Sequence, residues 1–376
     1  YDMVSREKSA HYTRKVTGAY VYNARRMSKQ HKAVSLISGG LDSMLATKIV
    51  MDQGIHIEGI NFFTGFCVEG HTHAIRAKAK KKEKRNNALW VAEQLGIKLH
   101  IIDVIDEYKD IVLNPKHGYG QNLNPCLDCK IFMVNKAVAW AWMEENDFDF
   151  IVTGEVIGQR PKSQRKETMP IIARESGADD RLLRPLCARN LPPTLPERQG
   201  WVNRDELYDF AGRNRKPQIA LARKFGFDNY SQPAGGCCFL TDKSYSDKLG
   251  DLWRARGERA YDIDDIMLLK VGRHLRPEPH YKIIVSREEG ENHYLSGYQH
   301  NFPTIRTTSH PGPVTLVDGH PGDLDLEFAA RIAARYSQGR DADQVIINIR
   351  RPGEDSGREL AVVPLPATEI PQGWHV

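Results

Sequence analysis

The 376 residues suffice for two or three domains, and 40% apolar with 27% charged residues is the composition of a globular protein. No apolar run approaches the roughly 18 residues of a membrane-spanning helix, so no membrane partner is expected. A net charge of +5 is too small to establish nucleic-acid binding by itself.

Residues 1–31 read as a polar, basic N-terminal extension with no apolar leader core, which makes a cytoplasmic location the expectation. "AVSLI" at 33–37 has the pattern of a buried strand, and a helix is expected from about Leu41 to Gln53. A second strand follows at 55–63. A long helix is predicted from about Ala74 to Leu95, ending at Gly96. Its first part, "RAKAKKKEKR" from Arg76 to Arg85, holds seven basic residues and one acid. Such a run is ordinarily a solvated face, and the sharper reading is a phosphate-backbone contact through Lys80, Lys81 and Lys82. Strands at 97–104 and 148–154 flank a helix at 127–145. This alternation predicts an α/β, doubly wound, mostly parallel sheet.

After Pro185 the chain turns proline-rich and irregular. Short helices are expected at about 203–213 and 217–225, then a glycine-rich loop, "AGGCCFLTD", then a bridging helix in "YSDKLGDLWRARG". From about Ile266 the pattern is strand-like through "IMLLKVGRHLRP" and "YKIIVSREEGENHYL", and again in "GPVTLVDG" and "QVIINIRRP", with one helix in "LEFAARIAARYSQG". The expected organisation is therefore 1–31 extension, 32–242 nucleotide domain, 243–265 helical linker and 266–376 α+β module.

Between the first strand and the first helix stands Ser38-Gly39-Gly40-Leu41-Asp42-Ser43. A glycine loop entering a helix presents backbone N–H groups and a positive dipole end to an anion. There is no lysine of the Walker type; Asp42 occupies the loop instead, which suits a Mg²⁺ partner or a contact to a substrate nucleophile. In a parallel sheet the ligand lies beyond the carboxyl ends of the strands, so this loop and Thr153-Gly154-Glu155 are expected to face one crevice.

SGGLDS resembles the SGGxDS signature of the PP-loop ATP pyrophosphatases, whose fold is adenine nucleotide α-hydrolase-like. That family cleaves ATP between the α and β phosphates and transfers AMP to an oxygen. The resemblance implies ATP on Ser38, Gly39, Gly40, Asp42 and Ser43, with Asn61 and Phe62 along the adenine by backbone contact and Gly154 at the nucleotide. Arg181, Arg184 and Lys166 are read first as solvated surface residues, with contact to RNA phosphate or pyrophosphate as the sharper alternative.

Six cysteines are present, and in a chain of this kind a CxxC pair points to metal or redox chemistry rather than a disulfide framework. Cys126 and Cys129 lie in "NPCLDCK", and Cys237 and Cys238 in the glycine loop. Adjacent residues of an extended loop point opposite ways, so one of Cys237 and Cys238 is expected to reach the CxxC pair. Three thiolates and one open position fit a [4Fe–4S] cluster with an unligated iron. Cys67 and Cys187 read as small buried hydrophobes.

The chain is similar to the tRNA thiouridylase branch of the PP-loop proteins, close to the 2-thiouridylases, over residues 32–242. Those proteins carry an NPDxxCN element and a later TGICFIG element; here Cys126 replaces the aspartate, Cys129 is kept, and Cys238 aligns with the second family cysteine, with Cys237 as the neighbouring alternative. The resemblance implies tRNA as partner, a sulfur donor (hydrosulfide or a sulfur carrier) and Asp42, Cys129 and Cys238 as catalytic residues. It also implies either a cluster on Cys126, Cys129 and Cys237 or Cys238, or a persulfide relay through Cys129 and Cys238. From about Leu268 the chain resembles the NFACT-R RNA-binding module, with Gly272-Arg273-His274 and Arg287 as its expected basic face. The implied activity is ATP-dependent tRNA uridine thiolation, and a homo-oligomer is compatible with it. The rivals are a PP-loop amidating or ligating enzyme and an RNA-binding factor that holds nucleotide without turnover.

Overall fold

In the computed structural model, which describes residues 30–68, 86–143, 145–230 and 238–376, five parallel strands build the first sheet. They are β1 (Lys32–Leu36), β2 (His56–Phe63), β3 (Leu99–Asp103), β4 (Phe150–Val152) and β5 (Leu182–Leu183), in the order β3-β2-β1-β4-β5. β1 is central because nearly everything on it is apolar and buried: Ala33 and Val34 are fully covered, and the hydroxyl of buried Ser35 is satisfied by Thr47 at 2.7 Å. Gly59 lets β2 run between its neighbours, since a Cβ there would stand 2.9 Å from side-chain atoms of Ile37 and Leu99.

Helices α1 (Leu41–Met51), α2 (Asn87–Leu95), α3 (Ile105–Leu113) and α4 (Cys126–Ala141) connect and cover this sheet. α2 starts where Asn86 accepts from the amides of Ala88 and Leu89, and ends at Gly96, whose φ of +65° suits glycine. The expected helix over 74–95 is seen only in this last part; 69–85, with the basic run and Lys80, Lys81 and Lys82, lie outside the described residues. α3 was not anticipated, and neither was α5 (Met169–Glu175).

The expected helix over 203–213 is absent apart from one 3₁₀ turn at Arg204–Glu206. The backbone there bonds sideways: the amides of Tyr208 and Phe210 donate to the carbonyls of Pro185 and Leu186, which leaves nothing for an i→i−4 ladder. The proline-rich stretch contains a short helix, α6 (Leu195–Arg198), and α7 (Lys216–Lys224) lies where a helix was expected.

The bridging helix α8 (Lys243–Arg256) is capped by Asp242, which accepts from the Tyr245 amide at 2.8 Å, and closed by Gly257. It packs through Tyr245, Leu249, Leu252 and Trp253 against Phe66, Tyr108 and Val112 of the first sheet's surroundings. The segment from Ile266 is not a strand at first. Asp262 and Asp265 form a reciprocal capping box that starts α9 (Ile263–Leu268), and β6 (Arg273–Glu278) begins only after Gly272. Likewise "EGENHYLS" is α10 (Glu289–Ser296), not a continuation of β7 (Tyr281–Val285).

The second sheet is antiparallel, in the order β11-β10-β8-β9-β7-β6, with β8 (Thr304–Thr307), β9 (Val314–Gly319), β10 (Val345–Arg350) and β11 (Arg358–Val362). Helix α11 (Asp323–Arg335) lays Leu326, Ala329, Ala330 and Ala333 on it. β8 and β11 were not anticipated. Among the described residues no helix is long and apolar enough to cross a membrane.

His274 corrects the expected basic face. It is 2% exposed, its Nε2 stands 3.0 Å from the Val271 carbonyl oxygen, and its Nδ1 has no partner among the described residues. Burial, with Lys248 and Lys282 nearby, pushes its pKa well below the ordinary value, so it is neutral in the fold. The unfolded chain protonates this residue below about pH 6.5 while the folded chain does not. Stability is therefore expected to fall by about 1.4 kcal/mol per pH unit below that point on account of His274. Denaturant unfolding at pH 7 and pH 5 checks this: His274→Gln should lose that part of the pH dependence. Arg287 is committed as well, gripping the buried carboxylate of Glu291 at 2.8 Å, so Arg273, exposed beside the Tyr336 ring, is what remains of that face.

Candidate functional site: a glycine loop and a set of thiols on one sheet edge

The strand order reverses at β1, whose neighbours β2 and β4 leave in opposite directions around the sheet. The two loops that follow β1 and β4 therefore open a crevice at their carboxyl ends. Ser38–Ser43 and Thr153–Glu155 meet there. A Cβ on Gly154 would fall 2.5 Å from the Asp42 carbonyl carbon and the Ser43 amide nitrogen, so glycine is the residue that lets the loops touch. Gly154→Ala is expected to push the Ser38–Ser43 loop out of place. We expect a loss of about 1–3 kcal/mol in stability and a loss of nucleotide affinity, read by thermal unfolding and ATP titration.

Gly39 is needed for two reasons. Its φ is +76°, and a Cβ would stand 2.7 Å from the Asn87 Cβ, because the loop rests on the start of α2. Gly40 takes the N-cap position of α1 in extended conformation with no side-chain cap. Among the described residues no side chain caps the first turn of α1, while Ser43 Oγ donates to the Gly40 carbonyl at 2.9 Å and lies 3.4 Å from Ser38 Oγ. Uncapped amides, two hydroxyls and a helix N-terminus are a phosphate cradle.

Asp42 is held on both oxygens. Arg215, just before α7, donates to Oδ1 at 3.1 Å, and Gln159, from the loop after β4, donates to Oδ2 at 2.5 Å. Gln218 in turn donates to Gln159 at 2.9 Å. None of these three partners was foreseen; a lone Arg or Gln in a loop carries no signal of its own. Asp42 with phosphate oxygens and water is a hard-oxygen set that suits Mg²⁺.

Asn61 is a tie rather than an open contact: its Nδ2 donates to the Ile37 carbonyl at 2.6 Å and joins the ends of β1 and β2. The Phe62 side chain is buried in the core. Arg184 is not a solvated surface residue. It is 5% exposed and donates through Nε to Glu155 Oε2 at 3.2 Å, beside Thr153 Oγ1 at 2.8 Å. Burial opposes the Glu155 charge, but Arg184 and Lys130 outweigh it and hold the carboxyl below its usual range. Arg181 lies over the Trp142 ring, and Lys166 is exposed.

In a parallel α/β sheet the helices begin on the edge where the strands end, so the N-terminus of α4 brings Cys126 and Cys129 to the nucleotide side. The Cys126 thiol donates to Ser163 Oγ at 3.2 Å. Cys129 and Cys238 border the same apolar cluster, and the Cys238 thiol points to Asn124 Oδ1 at 3.9 Å. Cys237 lies outside the described residues. Among the described residues no three His, Cys, Asp or Glu side chains converge as a metal-holding group. Cys187 is buried, donates to the Glu155 carbonyl oxygen at 3.2 Å, and its thiol is pushed up to about 12 by burial, which makes it structural as expected.

Two family models match the chain: the tRNA methyl transferase HUP domain over residues 31–179, and the NFACT protein RNA binding domain over residues 272–375. The tRNA-specific 2-thiouridylase MnmA of Malacoplasma penetrans is 25% identical over 243 residues, covering 62% of this chain and 63% of that protein. The chain thus spans a little under two thirds of the length of that relative. The MnmA of Colwellia psychrerythraea is 25% identical over 302 residues, covering 74% of each chain. A solved 4-thiouridine synthetase–RNA complex with bound ATP aligns with a TM-score of 0.37 at 22% identity, covering 57% of this chain and 46% of that one. Behind the crevice and its loop, the chain thus holds a region that matches the tRNA methyl transferase HUP domain and is similar to tRNA-specific 2-thiouridylases, followed by a region that matches the NFACT protein RNA binding domain.

Proposed function

We propose that the protein is an ATP-dependent tRNA uridine thiolase. One observation carries the reading: a phosphate cradle built on SGGLDS and three cysteine thiols lie on the same edge of one parallel sheet. An amidating or ligating enzyme of the same fold has no use for those thiols.

ATP rests with its phosphates on the Ser38–Ser43 amides and hydroxyls. The uridine carbonyl oxygen attacks the α phosphate and pyrophosphate leaves, which turns a poor leaving oxygen into AMP. Asp42 would hold Mg²⁺, which when bound neutralises phosphate charge; Arg215 and Gln159 orient that carboxylate before the nucleotide arrives. Sulfur then replaces AMP at the activated carbon. Cys129 and Cys238 are assigned to a persulfide relay, which needs two thiols and no converged ligand set. The NFACT domain supplies RNA affinity.

A [4Fe–4S] version is the second reading, favoured by the cysteine at position 126 where the related motif has aspartate. It requires Cys237 or a rearranged Cys238 as third ligand. Anaerobic reconstitution separates the two: about four irons per chain supports the cluster, and thiolation by iron-free protein supports the relay. The activity itself is tested by pyrophosphate release that needs ATP and tRNA together, followed by mass spectrometry of the tRNA nucleosides, which also tells C2 from C4 thiolation. Pyrophosphate release without tRNA, or tRNA binding without any release, rejects the thiolase reading.

A further inference from the structure

Cys67 has no place in the reading above, yet the fold sets it opposite Cys238. After β2 the chain forms an isolated antiparallel bridge in which Cys67 pairs with Cys238. The Phe239 amide donates to the Phe66 carbonyl at 2.9 Å. A bond between the flanking residues identifies Cys67 and Cys238 as a non-hydrogen-bonded pair, the kind whose Cα atoms lie about 4.5 Å apart with both side chains on one face. Disulfides span Cα separations of roughly 4.4–6.8 Å, so this pair can close without moving the backbone. Both residues are half-buried and reduced.

A buried lysine lies beside the pair. Lys270, from the turn between α9 and β6, is 4% exposed, and its Nζ donates to the Gly65 carbonyl and lies 3.2 Å from Met267 Sδ and 5.3 Å from the Phe239 ring centre. No carboxylate pairs with it among the described residues. Burial pushes its ammonium down to about 8, and the Cys67 charge acts against that fall. The Cys67 sulfur is also 3.6 Å from Thr64 Oγ1.

We infer that Cys67 is the resolving thiol for Cys238, with Lys270 as its positioning cation. The inference rests on the thiolase reading. A persulfide donor, R–S–SH, passes its outer sulfur to Cys129 and leaves as R–SH; Cys129–S–SH passes that sulfur on, giving Cys238–S–SH and the free Cys129 thiol. The terminal sulfur bonds to the activated uridine carbon, and AMP departs with the electron pair of the C–O bond. The Cys67 thiolate then bonds to Cys238 Sγ. The bond between Cys238 Sγ and the uridine sulfur breaks, and its electron pair stays with the uridine sulfur, giving the thiocarbonyl. Two cysteines are oxidised by two electrons and the sulfane sulfur is reduced by two. An external dithiol reopens the Cys67–Cys238 disulfide before the next turnover.

The test uses the full chain loaded with glutathione persulfide, then ATP and tRNA without reductant, alkylation and peptide mapping. The expected result is about one Cys67–Cys238 disulfide per thiolated uridine, whereas Cys67→Ala accumulates a covalent enzyme–tRNA adduct that dithiothreitol releases. Cys187→Ala behaves as wild type. A turnover disulfide between Cys129 and Cys238, or release of thiolated tRNA by Cys67→Ala at the wild-type level without reductant, overturns the assignment while leaving the thiolase reading intact. Absence of pyrophosphate release with ATP and tRNA overturns both. Diamide oxidation of resting protein reads the pairing alone: a mapped Cys67–Cys238 disulfide supports it, and its absence with both peptides alkylated overturns it.

Discussion

Replacing Asp42 with Asn is expected to reduce tRNA-dependent pyrophosphate release by two to three orders of magnitude, the scale on which removal of one preorganised electrostatic group acts. The substitution keeps the shape of the side chain and one acceptor for Arg215 or Gln159, but removes the charge. The fold should hardly notice. Asp42 sits at the edge of the crevice, its ion-pair partner Arg215 is partly exposed, and such pairs contribute about 1 kcal/mol or less. Asp42→Asn therefore separates two roles. A strong loss of pyrophosphate release with an unchanged unfolding midpoint assigns Asp42 to the chemistry. Wild-type release makes Asp42 an anchor for Arg215 and Gln159 only, and the adenylation assignment of this residue falls. Arg215→Met provides the converse: the carboxylate stays but loses its cation, and a smaller loss, about tenfold, is expected in ATP affinity through mispositioning of the loop.

Cys129→Ser and Cys238→Ser are expected to abolish thiolation, by about a thousandfold or more, while tRNA-dependent pyrophosphate release continues. In the proposed reaction the two half-reactions use different parts of the crevice. The phosphate cradle is made by β1, α1 and the loop after β4, and the thiols by the start of α4 and the loop before α8. A serine preserves size at each position, and neither cysteine lies in the first core around β1 and α1. Loss of both activities in either variant would mean that these thiols hold the crevice together rather than carry sulfur. Measuring pyrophosphate and thiolated nucleoside on the same reaction decides between the two.

Much of this site could be read along the chain because its parts are local. A strand, two glycines, an aspartate and a helix follow one another within residues 32–51, and a left-handed φ at Gly39 with an uncapped helix start is a property of that stretch alone. The parallel sheet was legible for the same reason: buried strands alternate with helices, and chain order then limits the topology. The C-terminal module was harder to divide into elements. "IMLLKVGRHLRP" is apolar enough for a strand, and the capping pair Asp262 and Asp265 that turns its first part into a helix lies just before the apolar run.

What pattern cannot supply is the pairing of distant side chains. Gln159 and Arg215 reach Asp42 across sequence separations of 117 and 173 residues. Arg184 looks like any surface arginine until burial beside Glu155 gives it a partner that water can no longer replace. His274 and Arg287 look like an RNA-binding face until the same exclusion of water neutralises one and pairs the other. Cys67 stands alone in the sequence and becomes half of a pair only when the end of β2 meets the loop at Cys238. Local backbone preference and hydrophobic period decide the cradle. Desolvation and contact between remote segments decide which charges survive and which thiols face each other, and only the tertiary structure sets those.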